Sequence, residues 1–226
     1  ACPAGLPVVD QNLNSVYMIS STDGWAVGNR RGCANPGLTI LRWNGASWAC
    51  PAGLPVVDQN LNSVYMVSST DGWAVGNRTG ATTNGWVFLR WNGTSWSQVA
   101  VDTSPTIARN LNSVFMLDTN GDGIADDGWA VGQRTGATTN GWVFLRWNGT
   151  SWSQVAVDTS PTIAQNLNSV YMVSATEGWA VGNNGVILKW NGSNWSKITS
   201  ITGADLNELY ILGTSVPKGQ WREVFQ

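Results

Sequence analysis

An acidic insert at positions 118–127 holds the residues of this chain best suited to binding an ion. Three oxygen-bearing side chains stand at alternate positions, and Gly123 follows them, so the oxygens can wrap one hard cation around a sharp turn. The pattern predicts a structural Ca²⁺ site, whereas the alternative is a solvated acidic turn. The predicted Ca²⁺ ligands are Asp118, Asn120, Asp122, the backbone carbonyl of Ile124, and Asp126 or Asp127.

Catalytic residues are not predicted anywhere in the chain. It contains no histidine, which removes the commonest general base. A glycosidase needs two carboxylates facing one another, but most acids outside the insert recur at one turn of successive repeats, which favours repeated turn chemistry. These acids are Asp23, Asp71, Asp127 and Glu177. The cations Arg42, Arg90, Arg146 and Lys189 recur beside a tryptophan, which predicts cation–π contacts. We therefore expect a protein that is not an enzyme.

Low charge narrows the classes of partner. Charged residues make up 12% of the chain and the net charge is −2, so no basic patch is expected for nucleic acid or for an anionic membrane. No apolar run approaches the roughly 20 residues that a membrane-spanning helix needs. The composition predicts neither nucleic-acid binding nor membrane insertion.

The cysteines predict a secreted or cell-surface protein, in which the N-x-S/T sequences would be candidate glycosylation sites. Cys2, Cys33 and Cys50 match no metal or redox spacing, and one disulfide involving Cys33 would leave one cysteine free or paired elsewhere. Disulfides persist in oxidising, extracellular settings. The candidate glycosylation sites are Asn77, Asn92, Asn148, Asn191 and Asn194, although turn chemistry alone accounts for three of them.

The chain is built from copies of one unit. Residues 78–108 recur without change as 134–164, and Leu-Asn-Ser-Val, Gly-Trp-Ala-Val-Gly and Trp-Asn-Gly recur in that order four times. A period of about 40 to 50 residues is typical of propeller blades or solenoids. The predicted blades are 10–57, 58–101, 108–157, 164–200, and 204–226 together with 1–9.

Each copy predicts four short antiparallel strands, which is the description of a propeller blade. In the second copy they are 61–67, 73–75, 86–91 and 96–101, and Asn92-Gly93 predicts a two-residue type I′ hairpin. The recurring tryptophans are expected to pack within and between blades. We therefore expect one all-β propeller domain of about five blades, whose last blade is incomplete or is completed by the N-terminal segment or a neighbouring chain.

The motif order resembles known propeller families. Asp-Gly-Trp-Ala-Val-Gly, then Ile-Leu-(Arg/Lys)-Trp and a glycine-bearing hairpin ending in tryptophan, is similar to photosystem II assembly-factor-like propellers and, more remotely, to Asp-box propellers. Where those families carry an Asp-rich turn, this chain has Trp-Asn-Gly. The resemblance supports the fold, and fold alone does not imply function.

Two functions remain at this point. Near-identical copies, an odd cysteine and an incomplete last blade favour a non-enzymatic, calcium-stabilised scaffold that self-associates, as a filament or surface layer, through strands or Cys2. The alternative is a carbohydrate-binding propeller, since Trp86 and Trp142 accompany Thr-rich loops in only two copies and glycans would then be the partners.

Overall fold

The computed structural model describes residues 11–29, 33, 37–55, 59–77, 87–99, 110–133, 143–155 and 165–211. These residues form four antiparallel sheets of four strands each, and each sheet uses consecutive strands in chain order. The predicted all-β propeller fold is confirmed. We call the sheets blades 1 to 4.

The strands follow the repeat closely. Blade 1 contains β1 (Leu13–Ser20), β2 (Asp23–Gly28), β3 (Thr39–Trp43) and β4 (Trp48–Ala49). Blade 2 contains β5 (Leu61–Met66), β6 (Gly72–Gly76), β7 (Val87–Trp91) and β8 (Trp96–Gln98). Blade 3 contains β9 (Leu111–Leu117), β10 (Asp127–Gly132), β11 (Val143–Trp147) and β12 (Trp152–Gln154). Blade 4 contains β13 (Leu167–Ser174), β14 (Glu177–Gly182), β15 (Ile187–Trp190) and β16 (Trp195–Ile198), with a 3-10 turn at Asn183–Gly185.

The hairpin between the third and fourth strands differs from the prediction. In blade 2 the last strand pair is Trp91 opposite Trp96, so four residues form the loop rather than two. Gly93 has φ +89°, but Asn92 does not share a positive φ, which a type I′ turn would require. Instead the Asn92 side-chain oxygen accepts the backbone N–H groups of Thr94 and Ser95, at 3.0 and 2.9 Å. The side chain of asparagine, not its tolerance of left-handed backbone, explains the motif.

Close backbone approach explains the two glycines of Gly-Trp-Ala-Val-Gly. A Cβ on Gly72 would lie 2.3 Å from the Met66 sulfur, and one on Gly76 would lie 2.0 Å from the Asn60 carbonyl oxygen. The second glycine also lies opposite a bulge in β5, where the register shifts between Leu61 and Ser63. Both positions exclude a side chain because strands one and two pack at van der Waals distance.

Blades stack through two different faces. The head face of a blade carries Leu, Val and Met of its first strand and the paired tryptophans of its hairpin; the tail face carries the tryptophan of its second strand. In the interface between blades 2 and 3, Trp73 of the tail packs on Trp147 and Trp152 of the next head, with ring centroids 4.8 and 5.5 Å apart. Such aromatic contacts add about 0.5–1.5 kcal/mol each beyond the apolar area that they bury. The repeat thus encodes a head that fits a tail.

Residues 206–211 begin a fifth unit beside blade 4. The N–H of Leu206 donates to the Gly182 carbonyl at 3.1 Å, although no strand partner is assigned to 206–211 within the described residues. The segments expected to complete this blade, 1–9 and 212–226, lie outside the described residues. No helix in the described ranges has the length and hydropathy to cross a membrane.

Candidate interaction surfaces

An asparagine clamp joins the first strand of each blade to that of the next. The Nδ2 of Asn62 donates both to Asn77 Oδ1 of its own blade, at 3.0 Å, and to the Leu111 carbonyl of blade 3, at 2.7 Å. The equivalent bonds between blades are Asn14 to Leu61, Asn112 to Leu167 and Asn168 to Leu206. The amide therefore fixes the spacing between neighbouring blades at four successive positions.

The serine that follows each clamp asparagine makes a second hydrogen bond to the next blade, and in this bond the serine hydroxyl accepts. Ser63 Oγ accepts the Val114 N–H at 3.3 Å, and Ser169 Oγ accepts the Leu209 N–H at 3.2 Å. Because this N–H points away from its own sheet, the preceding blade satisfies the free edge of β5, β9, β13 and residues 206–211. The Leu-Asn-Ser-Val motif is thus a connector between blades.

These connectors line a cavity of about 900 Å³. Its wall is a repeated series of amides and hydroxyls, and the apolar head face of blade 1 borders it. The repeated polar lining residues are Asn14, Ser15, Asn62, Ser63, Asn112, Ser113, Asn168, Ser169 and Asn207. Glu208 is the one carboxylate among the described lining residues, so no pair of acids faces across the cavity there.

A ladder of aromatic rings runs through the same strands. Tyr17, Tyr65, Phe115, Tyr171 and Tyr210 follow one another with centroids 4.8, 4.5, 4.7 and 5.8 Å apart. Burial, together with the neighbouring Tyr17 hydroxyl, raises the pKa of Tyr65 above its ordinary value. Burial and the Tyr210 hydroxyl also raise the pKa of Tyr171. These phenols are therefore neutral packing groups at ordinary pH.

The recurring acids form ion pairs across the second and third strands. In blade 2, Asp71 is only 2% exposed, and its Oδ1 accepts the Arg90 Nε–H at 2.8 Å. The other Asp71 oxygen accepts the N–H of Ala125 in blade 3 at 2.8 Å. Equivalent pairs are Asp23–Arg42, Asp127–Arg146 and Glu177–Lys189. The ring of acids is structural, since each has a cation as its partner.

The recurring cations also lie on tryptophan rings, as the sequence pattern predicts. The Arg90 guanidinium lies 5.2 Å from the Trp73 ring centroid and 5.9 Å from that of Trp147 in the next blade. Arg42 and Arg146 repeat this arrangement between two blades. Lys189 contacts Trp179 of its own blade at 4.8 Å.

The acidic insert is organised by its own hydrogen bonds. Asp118 accepts three backbone N–H groups, those of Gly121, Asp122 and Gly123, at 2.6, 3.2 and 2.8 Å. Asp122 Oδ1 accepts the Ile124 N–H, and Asn120 Nδ2 donates to Asp122 Oδ2. The described residues contain no group of three or more His, Cys, Asp or Glu side chains placed to hold a metal ion.

The last two predicted ligands of the insert point to different partners. Both Asp126 oxygens accept hydrogen bonds from Thr119, at 2.9 and 2.7 Å, whereas the Asp127 carboxylate pairs with Arg146 at 2.9 Å. Desolvation raises the pKa of Asp126, but the Thr119 hydrogen bonds outweigh this effect and hold the pKa below its usual value. The insert also reaches blade 2, since Ser68 Oγ donates to the Gly123 carbonyl at 2.7 Å.

The structure joins Cys33 to Cys50 by a disulfide, and Cys2 lies outside the described residues. Four of the candidate glycosylation asparagines, Asn92, Asn148, Asn191 and Asn194, are exposed at hairpin tips. Asn77 is half-buried and accepts the clamp hydrogen bond from Asn62. Trp86 and Trp142 lie outside the described residues, so carbohydrate binding through them stays a prediction.

The head face of blade 1 is exposed, unlike its equivalents. Leu13, Val16 and Met18 are 51%, 60% and 45% exposed, whereas Leu61, Val64 and Met66 of blade 2 are at most 4% exposed. The hairpin tryptophans of blade 1, Trp43 and Trp48, are half-buried, while those of the other blades are buried. The same residue types therefore form a packed interface in three blades and a surface in one.

Sequence reasoning did not identify the connector residues or the open head face. The repeated Asn and Ser were visible as recurring letters, and their recurrence was the available signal. Their role depends on which edge of the first strand faces the neighbouring blade, which a linear pattern does not state.

Comparisons with known proteins agree on the fold. No family model and no curated protein matches the chain. Among solved structures, YCF48 bound to D1 peptide matches with TM-score 0.54 and 19% identity, over 84% of this chain and 55% of that one. The WD40 repeats of RRP9 match with TM-score 0.55 and 9% identity, over 87% of this chain and 56% of that one.

An ancestral GH74 enzyme also matches, with TM-score 0.58 and 16% identity, over 86% of this chain and 25% of that one. The chain thus spans about half the length of the propeller structures YCF48 and RRP9 and less of the enzyme. Identities this low carry the fold and nothing finer. The chain has the fold of a β-propeller repeat protein, as an arc of four blades followed by the start of a fifth.

Proposed function

We propose that this chain is a non-enzymatic protein-interaction scaffold that binds protein at the open head face of blade 1. The observation that carries the proposal is the exposure of Leu13, Val16 and Met18, whose equivalents in blades 2 to 4 are buried. The equivalent faces of the other three blades pack against a neighbouring blade. A contiguous apolar surface of this kind, when exposed, is typical of a protein–protein interface. The polar strand edge beside it adds hydrogen-bonding groups that a protein partner can satisfy.

The chemistry of the described residues supports a scaffold over an enzyme. The recurring acids are engaged in ion pairs, and only Glu208 brings a carboxylate to the cavity among the described lining residues. One similar structure is titled as a complex with a peptide, YCF48 with D1 peptide, which accords with a binding role for this fold. A closer relationship to photosystem II assembly-factor-like or Asp-box propellers is part of the same proposal.

Site-specific photo-crosslinking tests the binding surface. Benzoylphenylalanine at Val16 of the full chain, irradiated in cells of the source, is expected to give defined polypeptide adducts. The matched control places it at Val173, which is 51% exposed but lies at the end of β13, away from the head face of blade 1. Equal adducts at both positions, or none at Val16, would refute the proposal.

Calcium stabilisation stays a prediction, which we retain as part of the proposed scaffold. The supporting observation is the alternate spacing of Asp118, Asn120 and Asp122 ahead of Gly123. Addition of millimolar Ca²⁺ to chelator-treated protein is expected to raise the melting temperature, and Asp122→Ala is expected to abolish the rise. An unchanged melting temperature with Ca²⁺ would contradict it.

Secretion or display at the cell surface is likewise proposed. The Cys33–Cys50 disulfide supports it, because such bonds persist in oxidising compartments. Fractionation of source cells, with thiol labelling of the native chain, tests it. Recovery inside the cell with Cys33 and Cys50 reduced would contradict it.

A further inference from the structure

The connection between blades continues one unit past blade 4. Residues 206–211 repeat the first strand of a blade, with Leu206, Asn207, Leu209 and Tyr210 at the positions of Leu13, Asn14, Val16 and Tyr17. The segment makes both blade-to-blade bonds as a first strand does, since the Leu206 carbonyl accepts from Asn168 Nδ2 and the Leu209 N–H donates to Ser169 Oγ. By these contacts the segment occupies the position that the first strand of a fifth unit would take.

The outward side of this segment presents the groups that bind the next blade elsewhere. Asn207 and Glu208 are exposed, and Tyr210 is 73% exposed at the end of the aromatic ladder. In blades 1 to 4 the residues equivalent to Asn207 and Glu208 are an asparagine and a serine that bind the next first strand. A glutamate oxygen can accept a backbone N–H in place of the serine hydroxyl.

The head face of blade 1 presents the complementary groups. Where Asn14 binds the Leu61 carbonyl and Ser15 binds the Val64 N–H, the equivalent groups of blade 1 are the Leu13 carbonyl and the Val16 N–H. Both lie at the edge of β1 that faces away from β2, and the side chains of Leu13 and Val16 are exposed beside them. Residues 206–211 thus carry the donor and acceptor side chains of the type that pair with these backbone groups in the other blades.

The arc of this chain matches part of larger propeller structures. The chain matches U3-55K, the WD40 repeats of RRP9 and a designed protein over 87–92% of its own length but only 54–56% of theirs. A second copy of this chain carries both complementary ends, so it can supply the partner for either one.

Resting on the proposed function, we infer that the open head face of blade 1 binds residues 206–211 of a second copy of this chain, head to tail. Asn207 of one copy donates to the Leu13 carbonyl of the other, Glu208 accepts the Val16 N–H, and Tyr210 stacks on Tyr17 as the next rung of the ladder. Since this contact joins two different surfaces, it generates a ring where the rotation closes and a filament where it does not.

Cysteine crosslinking between two singly substituted chains tests this contact. In a Cys2→Ser background, a Val16→Cys chain mixed with a Glu208→Cys chain is expected to give a disulfide-linked dimer of twice the 24.2 kDa chain mass. Both sites are exposed, so folding is not at risk, and circular dichroism checks it. The matched control mixes Val173→Cys with Glu208→Cys, which is expected to crosslink only at the background rate. A Val16–Glu208 mixture that crosslinks no faster than this control overturns the inference.

A chain that carries both cysteines distinguishes a contact between two copies from a contact within one chain. Val16→Cys/Glu208→Cys in one chain is expected to give linked dimers and higher species, whereas a monomer closed by its own disulfide would overturn the inference. Sedimentation of the unmodified chain is expected to show concentration-dependent association that Val16→Asp weakens more than about tenfold and Val173→Asp leaves unchanged. If Val16 crosslinks only to a different protein, the proposed function stands and self-association fails.

Discussion

The buried ion pair of blade 2 offers a prediction with an internal control. Asp71 and Asp23 sit in the same local sequence, Ser-Ser-Thr-Asp-Gly-Trp, and each pairs with the arginine of the third strand. Asp71 is 2% exposed and also accepts the buried Ala125 N–H of the next blade, whereas Asp23 is 19% exposed. We expect Asp71→Ala to destabilise the fold far more than Asp23→Ala.

The magnitudes follow from burial. Loss of a charge-assisted hydrogen bond costs about 1.5–3 kcal/mol, and a buried N–H left without an acceptor adds about 1–3 kcal/mol. Asp71→Ala should therefore cost roughly 3–4 kcal/mol. At Asp23 the Arg42 side chain is 41% exposed and can return to water, so the loss should be about 1 kcal/mol or less.

Urea titration followed by tryptophan fluorescence measures the difference, and thermal melting checks it. At about 2–4 °C per kcal/mol for a chain of this size, Asp71→Ala should lower the melting temperature by roughly 6–16 °C and Asp23→Ala by no more than about 4 °C. Equal losses at the two positions would refute the reasoning, since burial and the Ala125 contact are the differences on which it depends.

Three further predictions concern a buried tryptophan, the disulfide and the acidic insert. Trp152→Ala should lower the free energy of unfolding by about 3–5 kcal/mol, because this ring is fully buried against Trp73 and Phe88. Trp48→Ala, in the half-buried hairpin of blade 1, should lower it by less than half as much in the same urea assay. Cys50→Ser removes a crosslink between cysteines 17 positions apart and should lower stability by about 3 kcal/mol, and a reductant should produce the same loss in the unmodified chain but none in the variant. Thr119→Val removes the hydroxyl hydrogen bond to Asp126 but keeps the backbone one, so it should raise the pKa of Asp126 part of the way towards its ordinary 3.8, measured by NMR titration of the carboxyl group. Because the folded-state pKa is lowered, Asp126 contributes stability that is present above its unfolded-state pKa and is lost as the pH falls through the folded-state pKa, and the variant should lose part of this contribution. An unchanged titration in the variant would show that Thr119 does not cause the shift.

The repeat alone predicted most of the architecture. Recurrence of Leu-Asn-Ser-Val, Gly-Trp-Ala-Val-Gly and Trp-Asn-Gly placed four strands in each copy, because alternation and glycine spacing are local consequences of strand pairing. The strand ends and the hairpin type differ from the prediction: Asn92 shapes a four-residue loop through its side chain, which the Asn-Gly pair by itself does not distinguish from a type I′ turn.

The acidic insert shows the limit of a ligand pattern. Spacing identified oxygens that could wrap a cation, but it could not show that Asp127 begins a strand and pairs with Arg146, or that Asp118 accepts three backbone N–H groups. These partners depend on where the insert folds back onto its own blade and onto Ser68 of blade 2.

The sequence by itself determined the propeller repeat, the packing role of the tryptophans and the absence of histidine chemistry, since these depend on residue types and local periodicity. Only the tertiary structure decided which copy is exposed. Leu13 and Leu61 stand in the same motif, yet one is 51% exposed and the other buried, because burial of a head face depends on whether a preceding blade covers it. Identical local sequences thus have different surroundings, and the exposed head face belongs to the first of the four described blades.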